Sequence, residues 1–419
     1  MSNSINYTLR NDLCTGCGIC VGACPNGAIS TIIKAGRFLP QINDNLCKNR
    51  NGCHRCSDVC PGLGVNLIDI AKINFIDRSI KEDKFIGRYI RNYTGYSTNM
   101  DLRYHSASGG MVTQFLIWLI DNKYIDGALV SSFCSDNPLK VRSYIARSKE
   151  DILSAKSSKY APVSFHDAIK ELKLSPEGKY VIVGLPCHIA GIRKLMAIDK
   201  RIRDRVWGLF GIYCSGSRTF YMTEYLMKSR KLDINKLNYL AYRDNGCLGG
   251  MVAKGEGFDF YEDYQSYCHP LRTMFHPRRC LLCVDHFAEL ADVSFGDIHV
   301  EPYKNDKVGI NSIVVRNTMW HDLLLQASNS GSIVLDDLAT DVLLEAQKMA
   351  KVKKNRYIGY CQLMKKFGRF APDYGTNYGV SLKPSHVIGY AKNWIDRFLG
   401  SHKVLWPLIS LLKSKVTKN

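Results

Sequence analysis

The sequence predicts a multidomain chain of mixed α+β and α/β class, with a small cysteine-rich N-terminal module, a larger α/β body and a helical, basic C-terminal tail. Three observations carry this. Cysteines recur in two similar halves within residues 1–75, residues 179–213 alternate between apolar and amphipathic stretches, and beyond 336 the composition turns helical and basic. At 419 residues the chain exceeds one ordinary compact core and has room for two or three domains. Hydrophobic residues at 46% and charged residues at 23% are globular proportions, which exclude a disordered or fibrous chain.

Taken in order, the first half-repeat LCTGCGICVGACPNGAI is echoed by LCKNRNGCHRCSDVCPGLGV, and each is followed by Ile or Val residues suited to short strands. Residues 76–100 read as a polar connector and a domain boundary. SASGG at 106–110 then leads into MVTQFLIWLI, a helix with Ser or Gly at its entrance, and GALVSSF reads as a strand. YVIVGLP, HIAGIRKLMAI and VWGLFGIYC form a strand–helix–strand unit and predict parallel sheet; ADVSFGDIHV adds a strand. From 336 to 419 the tail mixes Trp, Leu and Ile with Lys, a composition that either packs as a terminal helix or lies flat on an anionic bilayer.

Sixteen cysteines in a long chain whose first ten residues hold no apolar core segment point to a reducing cytosol, where clustered thiols bind metal or do redox chemistry. No run approaches the roughly eighteen apolar residues of a spanning helix. A cytoplasmic location is therefore expected, with peripheral contact at the inner face of the membrane through the tail. The formal charge of +19 is spread along the whole chain without a nucleic-acid-binding motif, so nucleic acid is not an expected partner.

Cys14, Cys17, Cys20 and Cys24 follow C-x2-C-x2-C-x3-C with Pro25 next, the bacterial ferredoxin arrangement for 4Fe-4S clusters. Three thiolates at this spacing wrap one cubane and the fourth reaches the neighbouring one, so Cys14, Cys17, Cys20 and Cys60 are assigned to a first cluster. Cys24, Cys47, Cys53 and Cys56 are assigned to a second, although five residues separate Cys47 from Cys53 instead of two. The KNRNG insertion must loop out, and His54 is an alternative ligand. Zinc in tetrahedral sites is the competing reading of these eight cysteines.

Cys187, Cys214, Cys280 and Cys283 form a further set. Cys187 and Cys214 each follow a strand, so parallel pairing brings both to one carboxyl edge, and CLLC at 280–283 adds a two-thiol chelate. A third 4Fe-4S cluster is the preferred assignment. The alternatives make Cys187 and Cys214 small buried hydrophobes, or make Cys187 a nucleophile beside His188. Cys134, Cys247, Cys268 and Cys361 read as structural, with Cys247 an alternative to Cys214.

Clusters move single electrons while most organic substrates exchange hydride, so a flavin converting between the two is implied. No GxGxxG fingerprint is present. SASGG places Ser108, Gly109 and Gly110 at a helix start suited to a pyrophosphate, and KSSKY offers Ser158, Lys159 and Tyr160 for phosphate and stacking. A Ser-capped helix and a solvated basic loop fit the same letters.

Together, SASGG, SSKYAPV, VGLPCHIAGIRKL, GIYCSG, YRDNG and RRCLLCVDHFAELADVSFGD resemble the beta subunit of coenzyme F420-reducing hydrogenase and its dehydrogenase relatives, over roughly residues 90–335. The regions 76–175 and 176–335 correspond to that family's N- and C-terminal parts, behind a fused ferredoxin-type module at 1–75. The resemblance implies FAD held by Ser108, Gly109, Gly110, Ser158, Lys159 and Tyr160, and cluster ligation by Cys187, Cys280 and Cys283. It also implies hydride exchange at the flavin with a donor or acceptor such as coenzyme F420, and a redox partner protein. The tail after 336 lies outside the resemblance, and no hydrogenase large-subunit metal motif is present.

The expected function is thus an iron–sulfur flavoprotein oxidoreductase. A flavin-dependent reductase of a sugar, polysaccharide-pathway or isoprenoid intermediate is one alternative, and a non-enzymatic ferredoxin-like electron carrier is another. No catalytic acid or base is named; His188 reads as supporting rather than proton-donating.

Overall fold

A computed structural model describes residues 4–134, 136–271 and 273–416. The N-terminal module begins with helices α1 (Ile5–Arg10) and α2 (Ile19–Ala23), followed by the hairpin β1 (Ile29–Lys34) and β2 (Arg37–Ile42). Ala35 and Gly36 turn the hairpin at φ 50° and 68°. The second half-repeat departs from the expected strand and forms helix α3 (Leu67–Asn74). Asn66 caps it by accepting from the Asp69 N–H, and Leu67 and Ala71, four residues apart, bury on one face.

The body is built on eight strands: β3 (Arg91–Ser97), β4 (Gly127–Phe133), β5 (Val141–Ala146), β6 (Tyr180–Gly184), β7 (Val206–Ile212), and, after a separate sheet, three more. Between them run α4 (Met111–Asp121), α5 (His166–Leu174), α6 (Pro186–Ile198) and α7 (Phe220–Ser229). The separate three-stranded sheet is β8 (Leu237–Asp244), β9 (Gly250–Gly255) and β10 (Phe258–Asp263). Then come β11 (Val293–Asp297), β12 (Asn311–Val315), α8 (Thr318–Asn329) and β13 (Ile333–Asp337). The large sheet is ordered β13-β3-β12-β11-β7-β6-β4-β5, with β4, β6, β7 and β11 parallel to their neighbours and the flanking pairs antiparallel. The expected β6–α6–β7 unit is present, and the strand expected around ADVSFGDIHV is β11.

Residues 76–100 are not a mere connector. They hold β3, an interior strand between β12 and β13. Its polar residues disguise it: Asn92, Thr94 and Ser97 are buried, and Asn92 donates to Thr340 Oγ1 at 3.1 Å.

Residues alternate between the two sheet faces as strand geometry requires. Ala128, Val130, Val181 and Phe210 face α4 and α8, where Phe115 stacks on Phe210 at 5.5 Å and Trp320 meets Phe210 edge-on at 4.9 Å. Leu129, Ile182 and Leu209 face the other way, onto α5 and α6, in the same core as Ile5, Leu13, Ile19 and Val21 of the module. The module sits close: a Cβ on Gly191 of α6 would lie 2.8 Å from Ile19 of α2.

The C-terminal helices are α9 (Ile358–Lys366), α10 (Pro384–Ser401) and α11 (Trp406–Val416). The segment after 336 packs onto the rest of the chain: Tyr357, Tyr360, Leu363 and Met364 share the core of module and body, and Trp406 and Ile409 bury against α7 and the small sheet.

Candidate functional site

The loop into α2 is bent by Asp12, Gly16 and Gly18, all at positive φ, and this turns Cys14, Cys17 and Cys20 inward. Cys60, which follows α1 by some fifty residues, joins them. The Gly16 N–H donates to Cys14 Sγ at 3.4 Å, the Gly62 N–H donates to Cys60 Sγ at 3.3 Å, and all four sulfurs line one cavity. Burial first and neighbouring thiols second push the Cys14 thiol up to about 12 and the Cys17 thiol to about 11; Cys20 is raised well above its ordinary value for the same reasons. Every cysteine is unpaired with any other as a disulfide.

Of the second set, Cys24 caps the end of α2, and Cys24 and Cys47 lie near Cys56. Burial raises the Cys56 thiol, and Cys24 and Cys47 lie near enough to raise it more. Cys24 Sγ accepts from the Ala28 N–H at 3.3 Å. The inserted residues form a 3-10 turn over Asn49–Asn51 closed by Gly52 at φ 84°, and Asn49 donates to the Cys53 carbonyl at 2.8 Å, so the insertion loops out. His54 turns outward to Asp58 at 2.6 Å with its side chain half exposed.

In the third set, Cys187 stands in the first turn of α6 and Cys214 just beyond β7, while Cys280 lies within the 3-10 turn Arg278–Leu282 and Cys283 caps its end. β6 and β7 are parallel neighbours, so Cys187 and Cys214 share one carboxyl edge. The four thiols line a second cavity. Burial raises Cys187 well above its ordinary value, followed by Cys17, Cys214, Cys280 and Cys283 in that order. Cys247 lies elsewhere, against Asp297 and Arg243.

His188 is no base for Cys187. Its Nδ1 accepts from the Leu185 N–H at 3.2 Å, its Nε2 is bonded to the Val163 carbonyl at 3.2 Å, and burial holds it down to about 4. Phe165 stacks on the ring at 4.1 Å.

Thr15 and Pro61 line both cavities, and the Cys17 thiol is near enough to raise that of Cys187. Arg279 binds the two together: fully buried, it donates to the Gly62 carbonyl at 2.8 Å and the Pro61 carbonyl at 2.9 Å. Lys353, from the C-terminal region, places Nζ 3.8 Å from Cys283 Sγ and 2.6 Å from the Asp285 carbonyl. Burial would lower its pKa, but Cys283, Cys214 and Asp285 outweigh burial and hold it above the ordinary lysine value. Sequence reasoning missed both residues; a basic residue adjoining the CLLC chelate was the one available signal, for Arg279.

The donor sets fit iron–sulfur clusters in chemistry. Each set comprises four reduced thiols; Asp285 also lines the third cavity, its carboxylate accepting from the Glu289 N–H at 3.1 Å, and Lys353 supplies a compensating positive charge there. Among the described residues no three His, Cys, Asp or Glu side chains are placed to hold one metal ion.

The loops expected at a flavin lie at the same sheet edge. Gly110, at φ 73°, caps α4 in place of a serine, and Asn311 Oδ1 accepts from the Met111 N–H at 3.2 Å. Gly109 is pressed on the sheet, where a Cβ would lie 2.7 Å from the Gly95 carbonyl oxygen. Ser108 donates to the Ile310 carbonyl at 2.7 Å, so its hydroxyl is engaged within the protein. Lys159 is likewise engaged, donating to the carbonyls of Lys156 at 2.7 Å and Ser157 at 3.0 Å; burial lowers its pKa to about 7. Ser158 is half-buried beside it, and Tyr160 packs on Tyr242 and Tyr264 at 5.5 and 5.9 Å.

Arg243 joins these loops to the thiols. It donates to the Leu248 carbonyl at 2.6 Å and to Asp297 Oδ2 at 2.8 Å, and Ser157 bonds to its carbonyl. Its Nη2 is buried and makes no hydrogen bond of ordinary distance and angle, and the Tyr160 hydroxyl and the Cys247 thiol lie next to the guanidinium. From Asp297 the chain of contacts continues through Gln347 to His286 at 2.8 Å, and from His286 to the Cys214 carbonyl at 3.1 Å.

The comparisons agree with this architecture. Residues 92–170 and 177–341 match the coenzyme F420 hydrogenase/dehydrogenase beta subunit N-terminal and C-terminal family models, and residues 7–30 match a 4Fe-4S binding domain. The chain is 24% identical to the coenzyme F420-dependent sulfite reductase of Methanocaldococcus jannaschii over 84% of its own length, and it spans 51% of that relative. It is 22% identical to the coenzyme F420 hydrogenase subunit beta of Methanosarcina barkeri, covering 65% of this chain and 95% of that one. A chain of the F420-reducing NiFe hydrogenase complex from Methanosarcina barkeri shares the fold, with TM-score 0.55 and 19% identity over 69% of this chain and 96% of its own. With both parts of the family matched in order behind a 4Fe-4S binding domain, the chain belongs to the coenzyme F420 hydrogenase/dehydrogenase beta subunit family of oxidoreductases.

Proposed function

We propose that this chain is an iron–sulfur flavoprotein that relays electrons between a hydride-exchanging coenzyme, coenzyme F420 or one similar, and a redox partner protein. Cys14, Cys17, Cys20 and Cys60 hold one 4Fe-4S cluster, Cys24, Cys47, Cys53 and Cys56 a second, and Cys187, Cys214, Cys280 and Cys283 a third. Arg243, with the loops that carry Ser108, Gly109, Gly110, Ser158, Lys159 and Tyr160, bounds the place of FAD. The domain division runs 1–75, 76–175, 176–335 and 336–419.

The observation that carries this reading is the wall of Thr15 and Pro61 shared by two thiol-lined cavities, with the Cys17 thiol near enough to raise that of Cys187. FAD, when bound, exchanges hydride with an organic coenzyme and single electrons with iron–sulfur centres. The protein's own part is positional. Arg279 fixes the ferredoxin-type loop against the third thiol set, Lys353 offsets thiolate charge, and burial keeps water from the sulfurs.

Anaerobic titration of the purified holoprotein with reduced coenzyme F420 tests the reading. Bleaching of both the flavin and the iron–sulfur absorbance is expected. A protein whose clusters bleach with dithionite but not with the reduced coenzyme, and which carries no flavin, is instead a simple electron carrier.

A further inference from the structure

We infer that the outward face of α10, continued by α11, docks the protein onto an anionic lipid surface. This goes beyond the redox reading and does not depend on it. The helix lies past the family match, which ends at residue 341. Its outward positions carry Val387, Ile388, Trp394, Ile395 and Phe398, exposed by 45, 71, 54, 53 and 42%, and Leu408 of α11 adds 47%. These residues recur at the spacing of one helical face, and Trp394 and Phe398 stack at 5.5 Å. A contiguous apolar stripe on the surface marks an interaction site rather than incidental exposure.

The helix cannot turn this stripe inward, because its other face is fixed. Asp396 accepts from Thr273 at 3.1 Å, Arg397 donates to the His276 carbonyl at 2.9 Å, and a Cβ on Gly400 would lie 2.0 Å from the Met274 carbonyl oxygen. Trp406 anchors the start of α11 against Tyr225 and Phe275.

Charge selects the occupant. Between 383 and 419 the acidic residue is Asp396 alone, and it is buried, whereas Lys383, Lys392, Arg397, Lys403, Lys413, Lys415 and Lys418 are basic. Lys392 on the helix and Lys383 just before it are exposed. Lysine is depleted in protein–protein interfaces but enriched on helices that lie in a bilayer interface, with Trp, Phe and Ile facing the acyl chains. Among the described residues no helix is long and apolar enough to cross a membrane, so the contact is superficial. An anionic surface meets the +19 charge of the whole chain favourably.

The test is co-sedimentation of the full-length holoprotein with vesicles of phosphatidylglycerol in phosphatidylcholine and of phosphatidylcholine alone. Binding to the anionic vesicles is expected to be about tenfold stronger, and to fall about tenfold in Ile395→Ser with Phe398→Ser, and again in Lys392→Glu. These positions are exposed, and unchanged iron content and melting temperature verify the fold; Trp394→Ser alone serves if the double variant fails that check. No binding, equal binding to both vesicles, or binding unaffected by the substitutions overturns the inference. So does a homodimer in solution that the same substitutions dissociate, since the face would then be covered by a second copy.

Discussion

Arg279 donates through Nε to the carbonyl oxygen of Gly62 at 2.8 Å, across 217 residues of sequence. One contact thereby joins the residue before Cys280 to the loop just after Cys60. A buried guanidinium satisfying two carbonyls is costly to remove, because both acceptors and the surrounding packing are left without it.

Arg279→Met is expected to lower stability by about 2–4 kcal/mol and to reduce iron content, since the first and third thiol sets lose their common brace. Arg279→Lys restores one of the two hydrogen bonds and part of the loss. Thermal melting with iron assay decides it; a variant with normal iron and unchanged melting contradicts the bracing role.

Lys353→Met removes a positive charge 3.8 Å from Cys283 Sγ. The added electron of a reduced cluster is then less favoured, so one iron–sulfur midpoint potential falls by on the order of 100 mV while Lys353→Arg holds it near wild type. Redox titration followed by electron paramagnetic resonance reads this directly, and an unchanged set of potentials removes Lys353 from the account.

Arg243→Gln takes away the buried guanidinium that bounds the proposed place of FAD. Flavin content is expected to drop severalfold with iron unchanged. Iron lost together with flavin would mark Arg243 as a structural residue only.

Asp77 accepts from Ser79 and Thr318, and these bonds hold its carboxyl at about 2, below its ordinary 3.8. A folded-state value below the unfolded one contributes stability that is complete above about 3.8 and is lost as pH falls toward about 2. Asp77→Asn should flatten the acid limb of a pH–stability curve over that window, and an identical limb in both proteins contradicts the assignment.

How much of this was legible in the sequence follows from how local each feature is. Cys14, Cys17 and Cys20 belong together because two intervening residues are what one cubane needs, and the β6–α6–β7 unit shows in its hydrophobic period. Arg279, Lys353 and Arg243 were not legible as site residues, because their roles depend on which distant segment folds over them; Lys353 reaches Cys283 from 70 positions away. β3 is not legible because its buried Asn92, Thr94 and Ser97 imitate a polar connector, while in the fold Asn92 Nδ2 bonds to Thr340 and Ser97 to Gln114. The Ile and Val content after Cys60 predicts a strand, while the Asn66 cap and the four-residue spacing of Leu67 and Ala71 make the stretch a helix. Ser108 and Lys159 are expected at phosphate from residue type and from the family resemblance, and in the fold both bond to backbone carbonyls, a tertiary detail the sequence does not carry.

The most direct test of the central claim is the iron, acid-labile sulfide and flavin content of the anaerobically purified full-length protein. The proposed three 4Fe-4S clusters and flavin predict about twelve irons, about twelve sulfides and one FAD per chain. About eight irons without flavin would contradict the claim and leave only the ferredoxin-type module standing.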